Sequence, residues 1–503
     1  MEKYELKKYI DKLAEEKILL NKDELKNILG RKVYQISINS TNVVKESMFI
    51  CKGASFKEEY LKEAISKGAF VYVSEKRYTV NACCILVSDI RKAMAICSNI
   101  YYNNSKDKLN IIGITGTKGK STTSYYIKYI LDEMSKESLG KLTGIISSIK
   151  TYDGKNNDYS LLTTPEAIEL NERFYNMVDS NIKNVVMEVS SQALKYDRTY
   201  GINFNIGVFL NISEDHISPV EHKDFEDYFS SKLRMFKQCD KACVNLDCAF
   251  SDRVYKEAKK HCKDVITFSL KDSSAIIYAK NIEKQGFSTK FLVKTPKWER
   301  EFILNMSGLF NVENALAAIA VSYVMGIDTR FIYSGLSLAK TEGRMELFSS
   351  KNNDIISLVD YAHNKLSFEK VFESVKEEYP NRDIVCVFGC PGNKAVNRRV
   401  DLPQVADKYS SKIYLTADDP GNEEVSDICN QISDNIRNAK YTIIEDRKTA
   451  IKEAIRNAPK NSIILVLGKG AEKLQKYGNK KEEYLSDIYY VKKYLGELVS
   501  KNK

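Results

Sequence analysis

Short runs of aliphatic and β-branched residues alternate with segments of helical periodicity along almost the whole chain. An apolar run bounded by turn-forming residues is typical of a strand buried on both faces, as in parallel sheets. Apolar residues spaced three and four positions apart are typical of the amphipathic helices that cover such sheets. The alternation therefore predicts an α/β protein.

The pattern divides the 503 residues into three parts. At about 150 residues per domain, this length also suggests about three domains. We predict a small α/β domain over residues 1–108, a central domain over 109–343 and a doubly wound third domain over 344–503. The predicted strands are Met48–Cys51, Phe70–Val73 and Ile85–Val87 in the first part, Asn110–Thr115, Val185–Val189 and Ile206–Ile212 in the second, and Ile355–Val359, Ile384–Phe388, Ile413–Leu415, Tyr441–Ile444 and Ile463–Leu467 in the third.

The strand Asn110–Thr115 leads into a glycine-rich turn and then into a helical pattern. This order places backbone N–H groups and a helix N-terminus around an anion, as in phosphate-binding loops. Lys120 would reach the terminal phosphates of a nucleotide, and the Ser121 hydroxyl would be a Mg²⁺ ligand. The strict spacing G-x-x-x-x-G-K-[ST] is not met, because Ile114 stands five positions before Gly119, and a glycine turn without a nucleotide is the alternative. The candidate loop residues are Gly116, Thr117, Lys118, Gly119, Lys120, Ser121 and Thr122.

Two further strands of the central part end in polar residues. Glu188 lies in the strand Val185–Val189, and a carboxylate beside a phosphate loop is where nucleotide enzymes place a Mg²⁺ ligand; a solvated edge-strand glutamate is the alternative. The strand Ile206–Ile212 is followed by a polar cluster that ends in His216. Open α/β sheets bind ligands at such strand ends, so His216 is either a ligand or a hydrogen-bonded loop residue.

Lys232 lies on the aromatic face of a predicted helix over Lys223–Phe236. It stands three residues after Phe229 and four before Phe236. A buried lysine is costly unless its charge is lost or paired. Either its ammonium reaches water along the aromatic rings, or its neutral amine is used chemically.

In the third part, three polar loops follow predicted strands. They are Asp360–His363, Gly389–Lys394 and Gly468–Glu472. Loops at the carboxyl ends of parallel strands indicate a ligand crevice in a doubly wound domain.

Charge and composition narrow the class of partner. Lys and Arg number 77 against 67 Asp and Glu, a net charge of +10, but the lysines are mixed with acidic residues along the chain. This distribution argues against a nucleic-acid patch, while a mild positive field favours polyanionic small substrates. No apolar export signal opens the chain and no apolar run approaches about 18 residues, so we expect a cytoplasmic protein without membrane insertion, with its 11 cysteines reduced and mostly buried.

Nine motifs, taken in order, resemble the Mur ligase family over essentially the whole chain, most closely its UDP-N-acetylmuramoyl-tripeptide synthetases. An amino-terminal segment from Ser40 to Gly53 looks like the uridine-nucleotide-binding segment of that group and counts against the folylpolyglutamate synthases. The motifs are G-T-K-G-K-S-T at 116–122, T-T-P-E at 163–166, E-V-S-S-Q at 188–192, N-I-S-E-D-H at 211–216, Y-F-S-S-K at 228–232, G-L-F-N-V-E-N-A at 308–315, G-R-M-E at 343–346, D-Y-A-H at 360–363 and G-K-G-A-E at 468–472.

The resemblance implies an ATP-dependent ligase of peptidoglycan precursor synthesis, and hence of cell-wall formation. Its first domain would bind uridine, its central P-loop domain ATP, and its Rossmann-like third domain an amino acid. The D-glutamate carboxylate of a UDP-muramoyl dipeptide would attack the γ-phosphate of ATP. The resulting acyl phosphate would then react with the free amine of the amino acid. We expect a monomer that binds small molecules and no nucleic acid.

The resemblance also implies roles for single residues. Two Mg²⁺ ions would be held by Ser121, Glu188, His216 and a carbamate formed by CO₂ on Lys232. Lys120 would bind the ATP phosphates, Asn311 the adenine, and Arg344 and Asp360 the ribose and phosphates. Ser40 would lie near the uridine, and Thr163, Thr164, Ser191 and Arg198 would hold the muramoyl peptide. The incoming amino acid would contact Arg399, Asp418, Asp419, Gly468 and Glu472.

One departure from the family bears on the amino acid. Enzymes that add meso-diaminopimelate carry D-N-P-R where this chain has Asp418-Asp419-Pro420-Gly421. A site with an extra carboxylate and no such arginine favours a side chain that ends in an ammonium, so we predict L-lysine. The alternatives are L-ornithine, meso-diaminopimelate, another amino acid, or a nucleotide-binding regulatory paralogue without ligase activity. Ala471 replaces the family's usual histidine, and Asn39-Ser40-Thr41 departs from its Asp-Ser-Arg.

Overall fold

The computed structural model describes residues 2–53, 56–215, 217–218, 221–285, 288–306, 308–350, 353–478 and 480–501. His216, which we predict to be a metal ligand, lies outside the described residues. The strands β1–β23 are Gln35–Ser37, Ser47–Ile50, Ala69–Ser74, Cys83–Leu86, Asn110–Thr115, Gly144–Ile146, Lys150–Tyr152, Asn157–Tyr159, Asn184–Glu188, Phe204–Phe209, Cys239–Asn245, Asp264–Ser269, Ile277–Gln285, Ser288–Lys294, Glu299–Leu304, Glu346–Ser349, Ile355–Asp360, Asp383–Phe388, Lys412–Leu415, Lys440–Ile443, Ser462–Leu467, Leu474–Tyr477 and Lys480–Glu483.

The helices account for most of the remaining regular structure. The α-helices α1–α15 are Leu6–Glu15, Glu58–Ser66, Ile90–Tyr101, Lys120–Glu137, Ala167–Asp179, Ser191–Lys195, Phe225–Leu233, Ser251–His261, Leu309–Met325, Thr329–Leu338, Lys365–Glu378, Arg398–Tyr409, Val425–Ser433, Arg447–Arg456 and Asp487–Lys501. Short 3₁₀ helices span Lys22–Ile28, Ser40–Asn42, Ser105–Lys108 and Arg234–Gln238.

The amino-terminal part contains a four-stranded parallel sheet in the order β1-β2-β3-β4. Successive side chains of a strand point to opposite faces. Met48 and Ile50 therefore join the apolar cluster that contains α1 and α3, whereas Phe49 packs with Leu61 of α2 on the other face. Burial on both faces explains why β2 reads as a continuous apolar run.

The central part contains an eleven-stranded sheet in the order β15-β14-β13-β12-β11-β10-β5-β9-β6-β7-β8. The strand before the phosphate loop, β5, lies between β10 and β9 and runs parallel to both. Its bounds are those predicted from the apolar run, and β5 is buried along nearly its whole length. The carboxyl ends of β5, β9 and β10 consequently share one edge of the sheet.

Two predicted elements are shorter than expected, and twelve of the 23 strands in the described residues were not predicted. Strand β10 ends at Phe209 rather than Ile212, because residues 210–213 leave the sheet to bond to the phosphate loop. The helix predicted over Lys223–Phe236 begins at Phe225, where Asp224 caps it, and gives way to a 3₁₀ turn before β11. Strands β13, β14 and β15 follow one another without an intervening helix. Their exposed polar residues obscure the alternation of apolar positions in the sequence, so these strands were not predicted.

The carboxyl-terminal part contains a six-stranded sheet in the order β16-β17-β21-β18-β19-β20. All its pairs are parallel except that of the edge strand β16 with β17. The five strands predicted for this part correspond to β17 to β21. Because β21 lies between β17 and β18, loops that are far apart in sequence emerge side by side at one sheet edge.

By its internal contacts, the chain forms two compact units. Unit 1 comprises Met1–Glu283, Lys290–Leu304 and Phe310–Ala339, and unit 2 comprises Lys284–Thr289, Asn305–Leu309 and Lys340–Lys503. All 11 cysteines are free, and all but the half-buried Cys83 are buried, as expected. Among the helices of the described residues, none combines the length and apolar character needed to cross a membrane.

Candidate active site

The glycines of the phosphate loop in unit 1 lie where residues of other segments approach the main chain closely. Gly119 caps α4 with a φ of +85°, and a Cβ there would lie 2.2 Å from Asn314 Oδ1. A Cβ on Gly116 would lie 2.9 Å from the Cβ of Leu210. Only glycine fits both positions, so the irregular glycine spacing follows from packing against β10 and α9.

Asn211, the first residue of the motif at 211–216 but not one of the predicted site residues, holds the loop in place. Its carbonyl accepts from the Thr117 N–H at 3.1 Å, its Oδ1 accepts from the Lys118 N–H at 2.8 Å, and its Nδ2 donates to the Lys118 carbonyl at 3.1 Å. Thr117 Oγ1 accepts from Tyr228 Oη and from the Ser213 N–H, each at 3.1 Å. The residues after β10 therefore fix the shape of the loop before any ligand binds.

Three lysines converge on this loop. Lys120 Nζ donates to the carbonyls of Gly116 and Thr117 at 2.9 and 3.2 Å. Lys232 Nζ donates to the same Gly116 carbonyl at 2.9 Å, and Lys118 Nζ pairs with Asp215 at 3.1 Å. Such a concentration of positive charge beside main-chain N–H groups suits a polyphosphate.

Lys232 is buried on the aromatic face, as its periodicity predicts. It is 2 % exposed, and its Nζ lies 4.6 Å from the centre of the Tyr228 ring. Burial, and then the positive charges of Lys120 and Lys118, lower the pKa of Lys232 well below its usual range, against the pull of Asp215. A lysine with a lowered pKa holds more neutral amine at neutral pH, and only the neutral amine can take up CO₂.

Glu188 ends β9 directly beside the phosphate-loop strand, where Ile114 is its register partner. It is 1 % exposed, and its two oxygens accept from the N–H and Oγ of Ser148 at 2.7 and 3.0 Å. Each carboxylate oxygen keeps a further lone pair for a cation. Among the described residues, no three His, Cys, Asp or Glu side chains converge as a metal site. Mg²⁺ usually binds through one or two carboxylates plus substrate phosphates, which this donor set fits.

Asn311, predicted to contact adenine, lies on α9 and is 1 % exposed. Its Oδ1 accepts from Nδ2 of Asn314, 3.5 Å away, and Asn314 Oδ1 in turn lies 3.4 Å from Thr123 Oγ1 of α4. The two asparagines thus connect α9 to the helix that follows the phosphate loop.

The residues predicted to hold the muramoyl peptide lie around the end of β9. Thr164 Oγ1 donates to the Glu188 carbonyl at 2.8 Å, and Arg198 donates to the Thr164 carbonyl at 3.1 Å. Glu166 pairs with Arg198 at 2.9 Å and with Lys52 at 2.5 Å. Lys52, which is not among the predicted site residues, therefore brings a second cation from the amino-terminal part to this place.

The other predicted substrate residues each have a polar partner. Thr163 Oγ1 accepts from Ser148 Oγ at 3.0 Å. Ser191 Oγ lies 2.9 Å from Nε2 of the buried His222. Ser40 Oγ donates to Glu63 at 2.6 Å in a 3₁₀ turn. His222 and Glu63 gave no signal in the sequence, because both are ordinary polar positions until the fold brings them to these hydroxyls.

In unit 2, Arg344 lies just before the edge strand β16, and Asp360 is the last residue of β17. Asp360 accepts from the N–H groups of Met345 and Ala362, each at 2.7 Å. The Arg344 guanidinium lies 4.4 Å from the centre of the Tyr361 ring. Arg344 also lines a cavity of about 370 Å³ together with Lys340 and Lys492. The cations around this cavity are compatible with the phosphate-binding role predicted for Arg344.

Arg399 is engaged in an ion pair that the sequence did not indicate. Its guanidinium binds both carboxylate oxygens of Glu423 at 2.9 Å and Gln431 Oε1 at 2.7 Å. Arg399 is 3 % exposed, and its Nε has no hydrogen-bond partner among the described residues. A substrate carboxylate would therefore have to share this guanidinium with Glu423.

The carboxylates predicted for the amino acid surround a lysine of the chain itself. Lys469 is fully buried, and its Nζ lies 2.9 Å from Asp419, 2.8 Å from Glu472 and 3.6 Å from Asp418. Burial alone would lower the pKa of Lys469, but these carboxylates hold it above its usual range. Burial raises the pKa of Glu472 despite the pull of Lys469. Three carboxylates against one ammonium leave this site acidic.

Gly421 is the residue for which the family resemblance implies an arginine in diaminopimelate-type enzymes. Its φ is +60°, and a Cβ there would lie 2.4 Å from Oδ1 of Asn393. That oxygen accepts from the Asn422 N–H at 2.8 Å. A Cβ on Gly392 would lie 1.7 Å from the Pro420 carbonyl, so the loop at 389–393 packs against the acidic loop. Loop packing and the left-handed backbone therefore both disfavour a side chain at position 421 in this chain.

We expect Gly421→Arg to lower the free energy of unfolding by about 1–3 kcal/mol without creating use of meso-diaminopimelate, because of the left-handed backbone and the clash with Asn393. Thermal unfolding and an amino-acid assay check this. Gly326→Arg is the control, because Gly326 has a φ of +68° but open space around its Cβ position, so it isolates backbone strain. Unchanged stability together with new activity on meso-diaminopimelate would contradict the prediction.

Family comparisons agree with the geometry. Residues 114–322 match the family described as Mur ligase middle domain, and residues 343–470 match the family described as Mur ligase, glutamate ligase domain. The chain belongs to the Mur ligase family. Two relatives are named UDP-N-acetylmuramoyl-L-alanyl-D-glutamate--L-lysine ligase. The one from Enterococcus faecalis is 35% identical over 92% of both chains, and the one from Streptococcus agalactiae serotype III is 37% identical over 97% of this chain and 99% of its own.

Solved Mur ligase structures share the fold. A UDP-N-acetylmuramoyl-L-alanyl-D-glutamate--2,6-diaminopimelate ligase aligns with a TM-score of 0.65 at 24% identity, covering 94% of this chain and 96% of that one. The MurF ligase from Thermotoga maritima in complex with ADP aligns with a TM-score of 0.60 at 16% identity, covering 93% and 98%. At these identities the structures support the predicted α/β Mur ligase architecture and not a particular substrate.

Proposed function

We propose that this Mur ligase joins L-lysine to UDP-N-acetylmuramoyl-L-alanyl-D-glutamate at the expense of ATP, as a step of peptidoglycan precursor synthesis. The observation that carries the proposal is the convergence of Lys118, Lys120 and Lys232 on one phosphate loop beside the buried Glu188. The names of the lysine-adding relatives support the choice of substrates.

A carboxylate is a poor electrophile and must be activated before an amine can attack it. In the proposed reaction the D-glutamate carboxylate displaces ADP from the γ-phosphate and forms an acyl phosphate. Lys120 and the loop N–H groups stabilise the charge that develops on the transferring phosphoryl group. The amine of the amino acid then attacks the acyl carbon, and inorganic phosphate leaves. Positioning supplies most of the rate, and no protein nucleophile takes part.

Mg²⁺ and a carbamate fit the residues around the loop. Ser121 and Glu188 would hold one ion with the ATP phosphates, and a carbamate on Lys232, with His216, would hold a second. When bound, the metal supplies charge neutralisation at the phosphate oxygens. The buried Lys232, with its lowered pKa, is the chain's own contribution to carbamate formation.

The acidic site of unit 2 supports an amino acid with a terminal ammonium. Asp418, Asp419 and Glu472 already surround the ammonium of Lys469, so they have the spacing and charge for that chemical group. The second carboxylate of meso-diaminopimelate would meet like charge there, with no arginine at position 421 to pair with it.

We expect L-lysine to drive release of phosphate from ATP and UDP-N-acetylmuramoyl-L-alanyl-D-glutamate, with meso-diaminopimelate lower in kcat/KM by about 10- to 100-fold. L-Ornithine should fall between them. The assay compares these amino acids, with L-alanine as the neutral control. Asp419→Asn keeps the side-chain shape and removes one negative charge. It should narrow the difference in kcat/KM between L-lysine and meso-diaminopimelate. Preference for meso-diaminopimelate would refute the proposed substrate.

The same incubation separates the other candidate functions. A regulatory paralogue would bind ATP without amino-acid-dependent phosphate release. A ligase for another acid would release no phosphate with the UDP-muramoyl dipeptide as substrate. We further propose that the three predicted domains, 1–108, 109–343 and 344–503, bind uridine, ATP and amino acid respectively, in a cytoplasmic monomer. The start of β5 at Asn110 and of β16 at Glu346 supports these boundaries.

A further inference from the structure

A fully buried ion pair lies behind the acidic residues of unit 2. Arg447 and Asp487 are both 0 % exposed, and Arg447 Nε and Nη2 donate to the two oxygens of Asp487 at 2.8 Å each. Tyr484 Oη also donates to Asp487, at 2.6 Å. Arg447 is the first residue of α14 and Asp487 the first of α15, so the pair joins two helix N-termini.

The guanidinium of Arg447 also donates to two main-chain carbonyls, one just beyond β19 and one at the end of β21. Nη1 donates to the Ala417 carbonyl at 3.2 Å, and Nη2 donates to the Leu467 carbonyl at 2.8 Å. Ala417 directly precedes Asp418, and Leu467 directly precedes Gly468. One guanidinium thus fixes the main chain immediately before both amino-acid loops.

Asp487 fixes the second of these loops from its other side. The Gly470 N–H donates to Asp487 Oδ2 at 3.0 Å, and the Asp487 N–H donates to the Gly470 carbonyl at 3.2 Å. Lys469 therefore lies between two anchored positions, Leu467 and Gly470. A Cβ on Gly468 would lie 3.6 Å from Asp418 Oδ2 and 3.9 Å from Arg447 Nη2, so the first loop is close by.

Stability alone is a weak explanation for this pair. Removing two charges from water costs so much that well-packed apolar residues can replace many buried ion pairs without loss of stability. What apolar residues cannot reproduce is a set of directed hydrogen bonds to the carbonyls of Ala417 and Leu467 and to the N–H of Gly470. These bonds add to those that the Gly392 N–H and Gln475 Nε2 donate to the carbonyls of Asp419 and Asp418, at 2.9 and 3.1 Å, and they hold the main chain directly before each loop.

We propose that Arg447 and Asp487 are positioning residues for the amino acid. They hold the loops after β19 and β21 so that Asp418, Asp419 and Glu472 keep the spacing that they show around the ammonium of Lys469. The inference rests on the proposed function, which assigns the amino acid to these carboxylates. Arg447 and Asp487 act through the loops and touch neither the amino acid nor the nucleotide.

The test replaces the pair by apolar residues in the full-length protein and measures each KM separately. For Arg447→Met with Asp487→Leu, the KM for L-lysine should rise about 10- to 100-fold, because a small misplacement of binding groups has large effects. The KM values for ATP and the UDP-muramoyl dipeptide should not change, whereas the Tm should fall, because the Tyr484 hydroxyl and the Gly470 N–H lose their buried acceptor. Arg447→Lys keeps the charge, loses part of the fork and should give a smaller rise.

The control removes another Arg–Asp pair, Arg173 and Asp153 of unit 1, whose atoms lie 3.0 Å apart. Its double variant Arg173→Met with Asp153→Leu should leave the KM for L-lysine unchanged. An unchanged KM for L-lysine in a folded Arg447/Asp487 variant, or a fall in Tm alone, overturns the inference. If the double variant does not fold, an unchanged KM for L-lysine in Arg447→Lys overturns the inference. Wild-type protein without lysine-dependent phosphate release would instead refute the proposed function.

Discussion

Lys232→Ala is expected to lower ligase turnover by about 100- to 1000-fold, the range found when one group that stabilises transition-state charge is removed. The substitution removes the amine that would carry the carbamate and the buried cation that contacts the Gly116 carbonyl. The Gly116 carbonyl would keep its hydrogen bond from Lys120 Nζ, so the expected loss reflects chiefly the missing carbamate. Turnover is measured as L-lysine-dependent phosphate release at saturating substrates.

Added short carboxylates distinguish the carbamate role from a general loss of structure. Formate or acetate can occupy the space of the missing carbamate and should restore part of the activity of Lys232→Ala. Lys237→Ala is the matched control, since Lys237 lies in the adjoining 3₁₀ turn and is exposed. Wild-type turnover in Lys232→Ala would exclude the carbamate, and low turnover without rescue would favour a structural role for the lysine.

Lys120→Met should also lower kcat by about 100- to 1000-fold, because it removes the positive charge closest to the phosphoryl group in the proposed complex. Methionine retains the length and apolar stem of lysine, so the α4 N-terminus should keep its packing. The measurement is kcat and the KM for ATP under lysine-dependent turnover, together with the Tm.

Lys136→Met is the control for Lys120→Met, because Lys136 lies in the last turn of the same helix and is exposed. It should match the wild type in kcat and in KM for ATP. If Lys120→Met kept the wild-type kcat, the phosphate loop would not bind the reacting nucleotide in the proposed way. If it raised only the KM for ATP, Lys120 would contribute to binding and not to the transition state.

Features carried by local pattern were predictable. The bounds of β5 follow from one apolar run, and the five parallel strands of the third part follow from five such runs. The burial of Lys232 follows from its spacing to Phe229 and Phe236 along a helix. These predictions succeed because each depends on the periodicity of neighbouring residues, which a fold of this class preserves.

Features carried by contacts between distant segments were not predictable. Nothing near Arg399 in the sequence indicates Glu423 as its partner, and nothing near Gly421 indicates that Asn393 fills the adjacent space. The strands β13 to β15 were missed because their exposed polar residues mask the apolar alternation. In each case the partner is chosen by packing and not by sequence spacing.

The sequence by itself determined the α/β class, the phosphate loop, the lysine on an aromatic face and, through nine motifs, the Mur ligase family. Only the tertiary structure decided which charges meet. The order β17-β21-β18-β19 brings Lys469 after β21 to Asp418 and Asp419 after β19, with Arg447 behind them. Local propensity depends on residues that are neighbours in sequence, whereas ion pairs between loops depend on the order in which strands assemble into a sheet.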